Sequence, residues 1–226
     1  MGIVNLPWDS QLFGYRVGKV EVSQLGFDLL GFLEQALVFR LVYVISEKPI
    51  LSLPENTILV DTKVTFEKAI YEIDSLEGIE FFEGELSEKL ISLAFQSGNF
   101  SRFKTDERLS NKEFEKLYLK WLERDLKTGK IIVHKIADEI VGMITLSFHD
   151  SFSSIGLLAV DFNYRGKGIG DKLLKMAESI SGSLGLKKIS VQTQLKNSGA
   201  MRFYKQIGFE KTEEKFIYHY YNQLGS

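Results

Sequence analysis

Apolar residues in the first third of the chain keep no single period. A turn-like opening, Trp8-Asp9-Ser10-Gln11-Leu12-Phe13-Gly14, leads into a strand-like Arg16 to Val22, and the apolar spacing from Leu25 to Leu37 predicts a helix. Leu41 to Ile45 and Ile58 to Phe66 read as strands, with Pro49 and Pro54 marking Ser46 to Thr57 as a loop. From there the period becomes helical. Leu86, Leu90, Leu93 and Ala94 share one face, and after a loop from Asn99 to Ser110 the residues Phe114, Leu117, Tyr118, Trp121 and Leu122 repeat the pattern. Lys130 to Ile136, Ile140 to Phe148 and Ser154 to Val160 are rich in β-branched residues and predict three antiparallel strands, the first two joined at Ala137-Asp138-Glu139. A long amphipathic helix from Arg165 to Leu184, a strand from Lys188 to Thr193, a helix from Ser198 to Ile207 and a strand from Phe209 to Tyr220 complete the chain. A β meander followed by β-α-β-α-β predicts one mixed sheet with helices on its faces.

The segment richest in chemistry is Tyr164-Arg165-Gly166-Lys167-Gly168-Ile169-Gly170, between a strand ending near Val160 and the long helix. Glycine at a helix start lets backbone approach a ligand, and free amides with the helix dipole favour phosphate there. Arg165 and Lys167 add positive charge. Asp171 stands where a dinucleotide fingerprint needs its third glycine, and no Gly-Lys-Ser/Thr follows, so neither the Rossmann nor the Walker loop fits.

Arg165, Gly168 and Gly170 form Arg-x-x-Gly-x-Gly. With Ile155-Gly156-Leu157-Leu158-Ala159-Val160 before it and Asn197, Ala200, Phe203-Tyr204 and Gly208-Phe209 after it, the pattern resembles the acetyl-CoA signature of the GNAT N-acetyltransferase superfamily, over residues 130 to 220. Trp8-Asp9-Ser10, Phe13-Gly14, Leu59-Val60-Asp61-Thr62-Lys63-Val64, Ala94-Phe95 and Ser101-Arg102-Phe103 extend the resemblance to bacterial dTDP-fucosamine acetyltransferases and related dTDP-amino-sugar N-acyltransferases. Asp61 stands where the fucosamine enzymes carry Glu.

The resemblance implies an α/β (α+β) fold with a mixed, mainly antiparallel central sheet, helices on both faces and a smaller N-terminal α/β part. It divides the chain into an acceptor-side subdomain, 1–80, and an acetyl-CoA-binding catalytic domain, 81–226. It further implies acetyl transfer from acetyl-CoA to the amine of a dTDP-linked 4-amino-4,6-dideoxy sugar, for surface polysaccharide such as lipopolysaccharide. Such transfer needs a neutral amine beside the thioester, donors for the developing oxyanion and a proton for the departing thiolate. By resemblance, the main chain of Leu158, Ala159 and Val160 binds the pantetheine arm. Arg165, Gly166, Lys167, Gly168, Ile169 and Gly170 hold the pyrophosphate, Asn197 is a further cofactor ligand, and Tyr204 touches the cofactor and protonates the sulphur. An Asn before a helix is equally an N-cap, and Phe203-Tyr204 equally a packing pair.

Acceptor recognition falls to the N-terminal half and the loop from Asn99 to Ser110. Trp8, Phe13, Phe100 and Phe103 offer aromatic platforms, Arg102, Lys104 and Arg108 offer cations, and Asp61 is the best acidic candidate. No general base stands out. His134, His149 and His219 are scattered and read as ordinary strand residues, without metal-ligand spacing. Two other readings fit the same motifs: a GNAT acting on another small amine or a peptide N-terminus, and a non-catalytic acyl-CoA-binding sensor.

Composition narrows the partners. The 226 residues are 44% hydrophobic and 26% charged, as in a folded protein, and the absence of Cys removes thiol nucleophiles, disulfides and zinc-thiolate sites. With 28 basic against 30 acidic residues, the net charge of -2 argues against a nucleic-acid partner. The apolar run Phe39 to Ser46, broken by Arg40, is too short for a membrane span, and Leu6 stands where Met1-Gly2 myristoylation wants Ser or Thr. These features predict a cytoplasmic protein with no metal and no membrane partner, compatible with a homodimer.

Overall fold

A computed structural model describes residues 2–22, 27–70 and 79–222. The N-terminal elements are β1 (Val4–Asn5), α1 (Pro7–Phe13), β2 (Val17–Val22), α2 (Leu29–Ala36), β3 (Leu41–Ser46), β4 (Thr57–Ala69) and β5 (Ile79–Phe81). Three helices follow, α3 (Glu88–Ser97), α4 (Arg102–Thr105) and α5 (Glu113–Lys127), then the strands β6 (Ile131–Ile136), β7 (Glu139–Phe148) and β8 (Ser153–Val160). A 3₁₀ turn at Phe162–Tyr164 precedes α6 (Ile169–Ser183), β9 (Lys188–Gln194), α7 (Ser198–Gln206) and β10 (Glu210–Tyr221). The strands form one sheet in the order β1-β2-β3-β10-β4-β9-β8-β7-β6-β5. Among the described residues, only β2–β3 and β8–β9 pair in parallel. The mixed, mainly antiparallel sheet matches the expected fold class. Because β4 lies between β10 and β9, residues on both sides of position 80 share that one sheet.

Several local outcomes differ from the sequence pattern for identifiable reasons. The opening from Trp8 to Gly14 is a helix, with Pro7 at its first position and Gly14 closing it at φ 80°. The second helix begins at Leu29, where the Asp28 side chain accepts from the Gly31 amide, and Leu25 lies outside the described residues. The loop from Asn99 to Ser110 contains the single turn α4, whose cap Ser101 accepts from the Phe103 amide at 3.3 Å. The long helix starts at Ile169 rather than Arg165, because Gly166 and Gly168 take φ 74° and 75° and break helical geometry ahead of it. Ala137 and Asp138, both at positive φ, turn β6 into β7 in a two-residue hairpin.

The sheet buries both faces. On one face Val64, Phe66, Ile144 and Val191 of the sheet pack against Leu173 and Leu174 of α6 and Tyr204 of α7. On the other, Leu41, Tyr43 and Met143 of the sheet pack with Phe13 of α1, Leu93 of α3, Phe103 of α4 and Leu117 of α5. On this second face β10 contributes His219, fully buried, whose Nδ1 sits 2.7 Å from the Asp106 carboxylate. Burial pushes Asp106 up, but hydrogen bonds from His219 and Arg108 outweigh it and hold the carboxyl well below its usual range. Burial lowers His219 to about 4, the Asp106 bond only partly offsetting it. The ring is therefore neutral, its proton on Nδ1 facing an acceptor-only carboxylate.

This pair makes stability pH-dependent. The unfolded chain takes up a proton at His219 below about 6.5 while the folded protein does not until about 4, so stability falls as pH drops through that window. We expect urea-unfolding free energies to decline between these pH values by at most about 1.4 kcal/mol per pH unit from this residue. His219→Gln should flatten the slope. An unchanged slope would place the acid sensitivity elsewhere.

Candidate functional site

The site begins where two neighbouring strands part. Strands β8 and β9 pair only through Ser153–Ile189, Ser154–Ser190 and Ile155–Val191. Beyond Ile155 they diverge. At the same point β8 bulges against β7: Gly156 and Leu157 together face Thr145, and the Leu157 amide donates to the Thr145 hydroxyl at 3.0 Å. A β-carbon on Gly156 would lie 2.7 Å from that hydroxyl, so glycine is required for the bulge to close.

The bulge sets which peptide groups become available. The Asp161 amide donates to the Val141 carbonyl at 2.8 Å, which makes Asp161–Val141 and Ala159–Met143 the hydrogen-bonded pairs of the β7–β8 ladder. The peptide groups of Leu158 and Val160 consequently point toward the gap left by β9. Arg165 uses part of this edge, its Nε donating to the Val160 carbonyl at 3.0 Å. The main-chain groups of Ala159, expected to join Leu158 and Val160 at the ligand, are taken up by the ladder instead.

A cavity of about 700 Å³ fills the gap. On the α7 side it is lined by Asn197, Ala200 and Tyr204. Asn197 caps α7 by accepting from the Ala200 amide at 3.1 Å, which leaves its Nδ2 hydrogens for a ligand. Tyr204 is buried, and burial alone raises its hydroxyl above the ordinary tyrosine value, so it stays protonated across the physiological range. The glycine loop adjoins this side without lining the cavity. Lys172 donates to the Gly168 carbonyl at 3.1 Å as the first helical bond, and no side chain caps α6. The amides of Ile169, Gly170 and Asp171 therefore have no helical acceptor. Ile169 is buried, and Gly170 lets α6 approach Phe203, where a β-carbon would come within 3.1 Å. Lys167 reaches over the Tyr164 ring, and Arg165 also contacts Gln96.

The opposite side carries Asp61, Lys63, Arg102, Phe103, Trp121 and Asp125. Burial raises Asp61 despite Arg102 and Lys63 nearby, and its Oδ2 is buried without a hydrogen-bond partner. Burial, then Arg102, lowers Lys63 to about 8. Arg102 lies 4.2 Å from the Phe103 ring centroid and 5.0 Å from that of Tyr43, its Nε also buried and unpartnered. Two ionisable groups driven from their ordinary values, beside an unsatisfied cation, mark this end as a place for a polar ligand.

The other residues expected at the acceptor end separate. Phe13 is 1% exposed and packs against Phe103 and Tyr15 in the core, away from the cavity. Phe100 is exposed and does not line it, and Trp8 lines a neighbouring hollow. Lys104 is tied to Asn99 at 2.6 Å, while Arg108 pairs with Asp106 and straps the loop to the Asn56 carbonyl. Lys63 and Asp125 escaped the sequence reading. Lys63 was signalled by the alternation Asp61-x-Lys63-x-Thr65-x-Glu67, a polar face on an otherwise apolar strand. Asp125 had no such signal, since it sits among surface charges of α5.

A sequence profile of the acetyltransferase (GNAT) family matches residues 86–209 of the 226. The chain belongs to this family. Among curated proteins, it is 28% identical over 109 residues to an uncharacterized N-acetyltransferase of Methanocaldococcus jannaschii, covering 45% of this chain and 48% of that protein. It is 27% identical over 135 residues to the spore coat polysaccharide biosynthesis protein SpsD of Bacillus subtilis, covering 59% and 47%. It is 36% identical over 67 residues to N-alpha-acetyltransferase 30 of Schizosaccharomyces pombe, covering 30% and 43%. The chain thus spans about half the length of the curated relatives it matches. Two crystal structures share the fold: a conserved Staphylococcus epidermidis protein of unknown function (TM-score 0.61, 11% identity, 95% and 88% coverage) and a GCN5-related N-acetyltransferase of Sphaerobacter thermophilus (TM-score 0.53, 17% identity, 82% and 62% coverage). Among the described residues, no helix is long and apolar enough to cross a membrane.

GNAT proteins use acetyl-CoA, and the free amides at the start of α6 fit its pyrophosphate. Gly168 has open space around a would-be β-carbon but sits at φ 75°, so Gly168→Val acts by straining the loop. Calorimetry should show acetyl-CoA affinity falling about tenfold, roughly 1.4 kcal/mol, in a folded variant. Unchanged affinity would take the loop out of the site.

Proposed function

We propose that this chain is an acetyl-CoA-dependent N-acetyltransferase acting on the amine of a dTDP-linked 4-amino-4,6-dideoxy sugar, in surface polysaccharide synthesis. One observation carries the reading: a single gap between β8 and β9 joins free peptide groups and a protonated tyrosine on one side to Asp61, Lys63 and Arg102 on the other. Acetyl-CoA would supply an activated thioester. The chain's own residues do the rest. The Leu158 amide is directed to donate to the thioester oxygen as negative charge develops. As the carbon–sulphur bond breaks, the Tyr204 hydroxyl would give its proton to the departing sulphur, while the proton the amine releases on forming the amide leaves through water. Asp61, with one buried oxygen unpartnered, accepts from the acceptor sugar, and Arg102 donates to it. In this reading the N-terminal part, 1–80, supplies Asp61 and Lys63 on the acceptor side, and 81–226 supplies the cofactor side.

The polysaccharide assignment draws support from SpsD, whose match extends over 59% of this chain. A peptide N-terminus is the second reading, favoured by the N-alpha-acetyltransferase match over 30% of the chain.

Mixing acetyl-CoA with a dTDP-4-amino-4,6-dideoxyhexose should release free CoA, and a panel of N-terminal peptides should not. Faster turnover of peptides would replace the acceptor assignment. Tyr204→Phe removes only the hydroxyl, and positioned acid catalysis is typically worth 10²- to 10⁴-fold, with a thiolate at the lower end. We expect turnover to fall roughly 30- to 1,000-fold with acetyl-CoA affinity retained. Turnover within about threefold of the parent, with chemistry rate-limiting, would leave Tyr204 a packing residue.

A further inference from the structure

Beside the cavity, on the outer face of α5, lies a hollow of about 530 Å³ lined by Trp8, Lys120, Trp121, Glu123, Arg124 and Lys127. Trp121 and Arg124 line both spaces, so the hollow adjoins the Asp61 and Arg102 end of the cavity across these two side chains. The chain has two tryptophans and both are here. Trp8 is 48% exposed, an unusual placement for so large a ring, and α1 is held in position by the Tyr43 hydroxyl donating to Asp9 at 3.1 Å. Trp121 is half-buried against Tyr118, with ring centroids 5.0 Å apart.

Lys120, Arg124 and Lys127 follow the i, i+4, i+7 spacing that brings exposed cations to one helix face. Lys120 pairs with Glu123 at 2.7 Å and Arg124 with Asp125 at 2.8 Å. Lys127 makes no ion pair among the described residues. Cations near a helix C-terminus are ordinary. An exposed indole beside them, at the mouth of an acceptor cavity, is a recognition surface: flat rings to stack a planar group, and charge to neutralise an anion.

The geometry points to this hollow as the subsite for the nucleoside diphosphate arm of the acceptor. The base stacks on Trp8, and the diphosphate runs along Lys127 and Arg124. The sugar passes Trp121 into the cavity, its amine reaching the gap between β8 and β9. This deepens and rests on the nucleotide-sugar reading of the same site. It moves the diphosphate from the loop around Arg102, where Asn99 and Asp106 hold Lys104 and Arg108, to the face of α5, where Lys127 makes no ion pair among the described residues and Arg124 would exchange Asp125 for the phosphate.

Because both tryptophans border the hollow, native fluorescence reports on it directly. Titrated with dTDP, the protein should show saturable quenching. Thymidine and pyrophosphate, each carrying half of the recognised chemistry, should bind at least about tenfold more weakly. Trp8→Leu should weaken dTDP about 5- to 100-fold, the range expected for losing one base-stacking ring. Lys127→Glu, on an exposed position that leaves the fold intact, should weaken it at least about fivefold and more at low salt. Acetyl-CoA affinity by calorimetry should stay within about twofold in both variants. Failure of dTDP to bind while acetyl-CoA binds would overturn the subsite and leave the acetyltransferase reading standing. Loss of acetyl-CoA affinity in the two variants would assign the hollow to the cofactor and overturn it equally. Binding of dTDP that the variants weaken, with no acetylation of any dTDP-amino sugar, would uphold the subsite and reject the acceptor assignment.

Discussion

The candidate site is built where two strands cease to pair. Strands β8 and β9 hold together for three residue pairs and then separate, leaving peptide groups of β8 without a strand partner in the middle of a ten-stranded sheet. Interior peptide groups are strongly disfavoured when unsatisfied, so such an opening persists only where a ligand, water or side chain can meet them. The bulge at Gly156 and Leu157 fixes the opening on the other flank. It turns Leu157 toward Thr145 and leaves Leu158 and Val160 facing the gap.

From that opening the two sides of the site acquire different characters. On the side of α7 and β9 the wall is polar but uncharged, with the capping Asn197, Thr193 and the buried Tyr204, suited to holding one arm of a ligand and keeping a proton in place. On the side of α5 the walls are ionisable and incompletely satisfied. Asp61 and Arg102 each retain a buried polar atom with no partner, and Lys63 loses much of its preference for charge. The sheet between them is continuous because β4 crosses from the N-terminal part into the centre, next to β9. That insertion brings Asp61 and Lys63 to the same cavity as Tyr204.

Much of the fold was legible because its periodicities are clean. The β meander from Lys130 to Val160 and the two C-terminal helices fall close to the spans their apolar spacing predicts. The glycine loop was legible as a turn ahead of a helix, where Gly166 and Gly168 take positive φ. The acceptor end was harder. Phe13 and Phe103 look alike in sequence, yet one is sealed in the core and the other lines the cavity, a difference set by which helix covers which strand. Similarly, Arg102, Lys104 and Arg108 are equivalent as charges until Asn99 and Asp106 engage two of them. The helix at Pro7–Phe13 was hidden because its seven residues, about two turns, are too few to reveal a period.

The most direct test of the account is the response of acetyl-CoA binding to a side chain at Gly156. A β-carbon there meets the Thr145 hydroxyl at 2.7 Å, so Gly156→Val must shift the bulge that aims Leu158 into the gap. Calorimetric titration of a variant that keeps its circular dichroism and cooperative unfolding should show acetyl-CoA affinity reduced by at least about tenfold. Affinity equal to that of the parent protein would contradict the claim that the parting of β8 from β9 builds the site.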